Sequence, residues 1–223
     1  RQLKTDVSPG LGCLRSEHLL ALLLNPARQV TPSAAAVIDE YLDNANAVVK
    51  VQMPPYFFKV FVACRLVPVN KTSPDDLPPG VQPDARPLNI GGTERRAITR
   101  AYFDEDLQAT YNDIVGPVQN GVGLKNSISI TAIGIQAAMD ANPDFGVIQG
   151  DIKNGYNEIS RKSVLDAIRG SGQLDDTLVF SRALLEVDAY VGMGSGTSLH
   201  TTPFTMNEGM HQGAIESSWF FSL

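Results

Sequence analysis

Prolines and glycines divide this chain into short segments, and this punctuation is the feature that most constrains its fold. Proline cannot continue a helix or a central strand, and paired glycines mark turns. Without a run of about 20 apolar residues, the chain has no candidate membrane span, and no membrane partner is expected. We therefore expect short helices and strands separated by breaks at Pro26, Pro54-Pro55, Gly91-Gly92, Gly116-Pro117 and Asn142-Pro143.

Periodicity between these breaks indicates both kinds of secondary structure. Apolar residues at helical spacing predict helices over residues 17–25, 32–48, 93–115, 127–139, 157–170 and 174–190. Stretches rich in β-branched and aromatic residues predict strands over residues 57–69, 86–90 and 145–152, with a further hairpin in 192–209. The first two strands are expected to pair as a hairpin with a long, proline-rich tip. The predicted fold class is α+β.

Composition limits the function classes. With 223 residues, 43% of them hydrophobic, the chain can bury a substantial core. The net charge of −6 argues against a nucleic-acid-binding surface, because phosphate neutralisation requires basic residues. Basic residues nevertheless cluster between Arg86 and Arg100. The two cysteines, Cys13 and Cys64, are too few for a disulfide framework or a zinc site, so we expect reduced, buried thiols.

The stretch around Asp151 carries the clearest chemical signal. The apolar run Phe145–Ile152 contains Asp151 near its end, and a glycine-containing turn and a helix follow. A carboxylate at the end of a strand is well placed to hold a hard cation such as Mg²⁺, which prefers oxygen ligands. The alternative is an aspartate that only caps the turn or the next helix.

The spacing of this stretch resembles the first catalytic motif of reverse transcriptases from non-LTR retroelements. Asp151 is followed by Asn154-Gly155-Tyr156-Asn157 and then by Ser160-Arg161. The resemblance implies that Asp151 is catalytic and holds Mg²⁺, with help from the carbonyl of Ile152. It also implies that Asn154, Gly155 and Tyr156 border the nucleotide, with the Tyr156 ring excluding a ribose 2′-hydroxyl. The alternative for Tyr156 is ordinary core packing.

Other segments resemble the same family in the same order along the chain. Residues 8–20 are similar to the entry of the fingers, and Gln119–Gly123 is similar to the segment before the first catalytic motif. Arg86-Pro87-Leu88 resembles the fingers arginine that contacts the triphosphate, and Lys71 would be a second cation there. The alternative for Arg86 and Lys71 is that both are solvent-exposed charges on the hairpin. Gln212-Gly213 resembles a motif that lines the nucleotide site, although Ala214-Ile215 and Ser217-Ser218 depart from the family pattern.

The resemblance implies a fingers-like region over residues 1–120 and a partial palm over residues 121–223, with the thumb absent. The intact enzyme would use an RNA template, a DNA primer and deoxynucleoside triphosphates (dNTPs), and an intracellular location in nucleus or cytoplasm is expected. The aromatic-x-Asp-Asp motif expected after Gln212-Gly213 is missing, since Asp75-Asp76 and Asp175-Asp176 both precede it. The chain therefore reads as a piece of a longer protein, inactive as a polymerase by itself.

Two other interpretations stay open. A decayed or domesticated copy would keep the fold and act as an RNA-binding or interaction module, and the acidic charge favours it. An unrelated α/β protein would match the motifs by accident. The polymerase interpretation requires the side chains of Asp151, Tyr156 and Gln212 to face one cleft.

Overall fold

A computed structural model describes residues 15, 17–19, 32–82, 84–116, 118–123, 125–193 and 204–223. Residues 17–19 are helical, and a short 3₁₀ turn spans Pro74–Asp76. Of the larger elements, the helices are α1 (Pro32–Val49), α2 (Pro55–Phe61), α3 (Thr93–Tyr102), α4 (Glu105–Val115), α5 (Ser127–Ala141), α6 (Gly155–Glu158), α7 (Arg161–Ser171), α8 (Asp175–Leu185) and α9 (Ile215–Ser222). The strands are β1 (Cys64–Asn70), β2 (Ala85–Gly91), β3 (Ala189–Met193) and β4 (Phe204–Met206).

The four strands form one mixed sheet in the order β2-β1-β3-β4. Strands β1 and β2 pair antiparallel, which confirms the predicted hairpin, and β3 and β4 also pair antiparallel. Strand β3 lies parallel to β1, with Cys64 opposite Val191. The structure confirms the predicted α+β class as helices combined with one small mixed sheet. Residues on both sides of position 120 build the sheet, and the proposed division there stays a prediction.

Aromatic side chains from distant parts of the chain form the centre of the core. Phe103 lies 5.7 Å from Phe220 and 6.1 Å from Tyr111, measured between ring centroids. Tyr111 in turn lies 5.7 Å from Trp219. The C-terminal helix α9 is thus packed against the link between α3 and α4. This packing fixes the position of the loop that precedes α9.

Several predicted elements end differently in the structure. The predicted strand 57–69 is wrong in its first part, where α2 forms instead, because Pro55 suits a first helical turn and Phe58 and Phe61 are buried at helical spacing. The predicted helix 93–115 is two helices, since Asp104 accepts a hydrogen bond from the Leu107 N–H at 3.0 Å and starts α4. Ser160 caps α7 similarly and divides the predicted helix 157–170. The predicted helix 174–190 ends at Leu185, and Tyr190 belongs to β3.

The prediction of a strand over 145–152 is wrong. These residues form no regular element and are exposed, Ile148 almost completely at 99%. No described strand pairs with them, and a single strand without a neighbour leaves its backbone groups unpaired. The preceding helix α5 forms as predicted but buries none of its residues.

Other predictions have mixed outcomes. The thiol of Cys64 is fully buried, as expected, and burial raises its pKa to about 11. Cys13, the segment around Ser8–Leu11 and most of the predicted helix 17–25 lie outside the described residues, as does the tip of the predicted hairpin in 192–209. Gly123 has a φ of +79° and faces the Trp219 ring, which agrees with a purely conformational role. Within the described part of the chain, no helix combines the length and hydropathy needed to cross a bilayer.

Candidate functional site

A polar cavity of about 650 Å³ lies between the β1–β2 hairpin, the turn before α6 and the loop before α9. We call it the Asp151 cavity. Its walls are formed by Lys71, Asp84, Ala85, Arg86, Pro87, Asp151, Ile152, Lys153, Asn154, Gly155, Tyr156, Asn157 and Gln212.

Eight of the nine residues identified from the sequence line this cavity: Lys71, Arg86, Asp151, Ile152, Asn154, Gly155, Tyr156 and Gln212. The required meeting of Asp151, Tyr156 and Gln212 in one cleft is therefore observed. Asp151 arrives there on an irregular, exposed segment and not at a strand end. Gly213 is not among the lining residues.

The turn that carries Asp151 into α6 has a left-handed residue at its centre. Asn154 adopts φ +55° and ψ +29°. Its carbonyl accepts hydrogen bonds from the N–H groups of Asn157 at 2.8 Å and Glu158 at 3.1 Å, which begins α6. Asparagine tolerates this conformation better than other non-glycine residues. The local sequence therefore supports the sharp turn between Asp151 and Tyr156.

Gly155 and Tyr156 form one contact surface with the C-terminal helix. The Tyr156 ring stacks on Phe221 with 4.8 Å between centroids and an interplanar angle of 29°. A Cβ on Gly155 would lie 2.8 Å from Phe221 Cζ, so a larger residue there would require the Phe221 ring to shift. The Tyr156 hydroxyl is 3.3 Å from the Ser218 Oγ. The aromatic wall of the cavity is thus held at its ring face and at its hydroxyl.

The Gln212-Gly213 loop is attached to the edge strand β2. The Gln212 carbonyl accepts a hydrogen bond from the Asn89 N–H at 2.9 Å. Gly213 has a φ of +102°, and a Cβ there would lie 2.7 Å from Leu88 Cδ1. The glycine therefore permits close approach to β2. Gln212 is left facing the cavity.

Arg161 and Gly209 join the Asp151 turn to the Gln212 loop. The buried guanidinium of Arg161 donates to the carbonyls of Gly209 at 2.7 Å and Met206 at 3.1 Å. It also donates to the carbonyls of Leu185 and Val187 at 3.1 and 3.2 Å. A Cβ on Gly209 would lie only 2.3 Å from the Asn157 carbonyl oxygen.

The two segments also share a main-chain hydrogen bond. The Met210 N–H donates to the Tyr156 carbonyl at 2.6 Å. This backbone contact, together with Arg161, sets the separation between the Tyr156 wall and the Gln212 wall. The sequence contained Arg161 within the motif but did not indicate this role, because carbonyl partners leave no trace in side-chain patterns.

A second buried cluster fixes the same loop from the other side. The Arg95 guanidinium contacts His211 Nδ1 at 2.7 Å and Glu216 Oε1 at 2.5 Å, and it donates to the Val62 carbonyl at 3.0 Å. Burial, and then the charges of Arg95 and Arg161, hold the pKa of His211 well below its usual value. His211 is therefore neutral at physiological pH and accepts a hydrogen bond from Arg95.

The charges of the cavity are mixed. Lys71, Arg86 and Lys153 supply positive charge, and Asp84 and Asp151 supply negative charge. Lys71 forms an ion pair with Asp84, while the structure records no salt bridge between Arg86 or Lys153 and any described residue. Sequence reasoning missed Asp84 and Lys153. The hairpin register, which places Asp84 beside Lys71, was the signal that would have found Asp84.

The carboxylates do not complete a metal centre. Over the described ranges, no group of three or more His, Cys, Asp or Glu side chains is arranged to hold a metal ion. Asp151 offers one carboxylate, and a two-ion site for nucleotidyl transfer needs further acidic ligands. The residues described here therefore do not fit the two Mg²⁺ ions that the family resemblance implies.

A scan of the sequence against protein-family models finds no match, and a search of curated proteins finds none either. The resemblance to reverse transcriptases stays a prediction that rests on the motifs and on their meeting in one cavity.

Proposed function

We propose that this chain is the nucleotide-facing part of an RNA-directed DNA polymerase of a retroelement, with the Asp151 cavity as the site for a dNTP. One observation carries the proposal: residues chosen from separate sequence motifs line the same cavity. Accidental motif matches would have no reason to meet. The RNA template and DNA primer belong to the proposed intact enzyme.

The chemistry of the walls suits a nucleoside triphosphate. In this proposal, Arg86 binds phosphate oxygens through its planar fork of N–H donors, and Lys71 and Lys153 add positive charge at the same end. The Tyr156 ring lies under the sugar and rejects a 2′-hydroxyl by steric conflict. Gln212 closes the opposite wall. Asp151 would contribute one oxygen ligand to a cation that accompanies the triphosphate.

No catalytic step is assigned to this chain, because its described acids do not complete a two-ion site. We expect the purified chain to bind a dNTP without extending a primer. Primer extension by the 223-residue chain with Mg²⁺ and dNTPs would contradict that expectation.

The direct test is equilibrium binding of a fluorescent dNTP and of the matching ribonucleotide. Wild type should prefer the dNTP, Arg86→Gln should weaken both ligands, and Tyr156→Ala should remove the preference. Matched controls are Arg169→Gln and Tyr56→Ala, which alter exposed side chains that do not line the cavity. The proposal fails if wild type binds neither nucleotide, or if Arg86→Gln has no larger effect than Arg169→Gln.

A second candidate function is an RNA-binding or interaction module derived from such an enzyme. The incomplete metal site favours it over a working polymerase. The net charge of −6 favours an interaction module over an RNA-binding one, because phosphate binding needs basic residues. This candidate predicts binding of RNA that Tyr156→Ala leaves unchanged, and no preference between the dNTP and the ribonucleotide. The nucleotide preference measured above therefore separates the two functions.

A further inference from the structure

Among the cations of the Asp151 cavity, Lys71 is held by the protein's own carboxylate. Lys71 and Asp84 lie where the β1–β2 ladder ends and the connecting loop begins, and the Lys71 N–H donates to the Asp84 carbonyl at 2.9 Å. Their side chains form the ion pair at the cavity wall. Both side chains remain accessible to solvent, at 45% for Lys71 and 71% for Asp84. A ligand can therefore reach either group.

The surroundings of Asp84 are those that an anionic ligand would meet. The hydrogen bond from Lys71 is the main reason why the pKa of Asp84 lies below its usual value, and Lys153 and Arg86 act in the same direction. One carboxylate is thus placed among three cations, all of which line the same cavity. A carboxylate and a phosphate group compete for the same N–H donors, because both are oxyanions that bind ammonium and guanidinium groups.

We propose that Asp84 is an internal competitor for anions in the Asp151 cavity: its carboxylate occupies Lys71 and must release it before a polyphosphate ligand engages that ammonium. The inference rests on the proposed nucleotide site and adds a residue that tunes its affinity. The ion pair is exposed and easily opened, so the competition lowers polyphosphate affinity without closing the site. Arg86 and Lys153 form no salt bridge with the described residues and stay available for the first contact with the ligand.

The hairpin supplies a matched control for this idea. Asp76 lies in the 3₁₀ turn of the same connection between β1 and β2, and it does not line the cavity. Asp76→Asn and Asp84→Asn change the net charge equally. A difference between them therefore reports the position of the carboxylate and not the total charge of the protein.

The experiment measures binding of inorganic tripolyphosphate by calorimetry, at low ionic strength and without divalent metal. An exposed ion pair contributes only a small free energy. Asp84→Asn should therefore bind tripolyphosphate about two- to fivefold more tightly than wild type. Asp76→Asn should bind as wild type does. The gain from Asp84→Asn should disappear in a Lys71→Gln background, since there is then no ammonium to release.

The outcomes that refute the competition between Asp84 and the ligand are distinct. Equal affinities for Asp84→Asn and Asp76→Asn overturn the proposal, and so does a gain that persists undiminished with Lys71→Gln, because a general field effect would explain it. If neither wild type nor Asp84→Asn binds tripolyphosphate, the nucleotide site itself is refuted and the competition with it. Binding by wild type without a change in Asp84→Asn refutes the competition alone.

Discussion

Substitution of Gly209 by alanine tests how the two walls of the cavity are joined. The residue has a φ of +70°, and a Cβ would lie 2.3 Å from the Asn157 carbonyl oxygen and 2.6 Å from its carbonyl carbon. The left-handed backbone alone costs an alanine about 1–2 kcal/mol. Because the contact is with the main chain, the clash can be relieved only if the two segments separate. That movement lengthens the hydrogen bond from the Met210 N–H to the Tyr156 carbonyl and the one from Arg161 to the Gly209 carbonyl.

We expect Gly209→Ala to lower the free energy of unfolding by about 3–5 kcal/mol, as the sum of backbone strain and displaced packing. Urea denaturation followed by tryptophan fluorescence measures this through Trp219. Gly172→Ala is the control: its φ is +64° and nothing lies within 4 Å of its Cβ position. The control should lose only about 1–2 kcal/mol. Equal losses for the two variants would refute the close backbone contact as the feature that joins the walls.

Three further perturbations follow from the same structure. The pKa of His211 is lower in the folded state than in the unfolded chain, so the folded state binds fewer protons and the free energy of unfolding should fall as pH drops below about 6.5, by at most about 1.4 kcal/mol per pH unit. His211→Asn should flatten that dependence between pH 7 and 5 in urea denaturation, and parallel curves would contradict the assignment. Arg161→Lys should cost about 2–4 kcal/mol of unfolding free energy, because an ammonium cannot reach all four carbonyls. The matched change Arg169→Lys on the exposed face of α7 should cost less than about 0.5 kcal/mol, and a similar loss in both would contradict the role of Arg161. Ile133→Gln in α5 should change the free energy of unfolding in urea denaturation by less than about 0.5 kcal/mol, because Ile133 is 69% exposed. A loss above about 2 kcal/mol would mean that α5 is covered.

The exposed apolar surface of α5 and of residues 145–152 is the largest departure from expectation. Isoleucines lie on several sides of α5, and none of its residues is buried. An apolar run is read from sequence as buried because burial of such side chains is favourable. An apolar run favours burial, but a strand also needs a neighbouring strand to pair with, and a helix needs a layer of other residues to cover it. The described residues provide neither for this segment.

Short-range physical chemistry determined much of the rest. Prolines and capping residues located α1 and the β1–β2 hairpin, since these signals act within a few residues of the chain. These local signals gave a wrong prediction where packing against the core outweighed the strand propensity of the residues. Residues 57–61 have strand-like composition, yet they form a helix because Phe58 and Phe61 reach the core from one helical face.

By itself, the sequence specified which residues belong to the candidate site: the turn from Asp151 to Tyr156, the arginine of β2 and the glutamine before α9. Only the tertiary structure decided that they share one cavity, that Asp84 occupies Lys71, and that Gly209 and Arg161 hold the walls together. Those relations depend on hydrogen bonds to main-chain carbonyls and on close backbone approach between distant segments. Such contacts use atoms that every residue possesses, and so they leave no pattern in the order of the side chains.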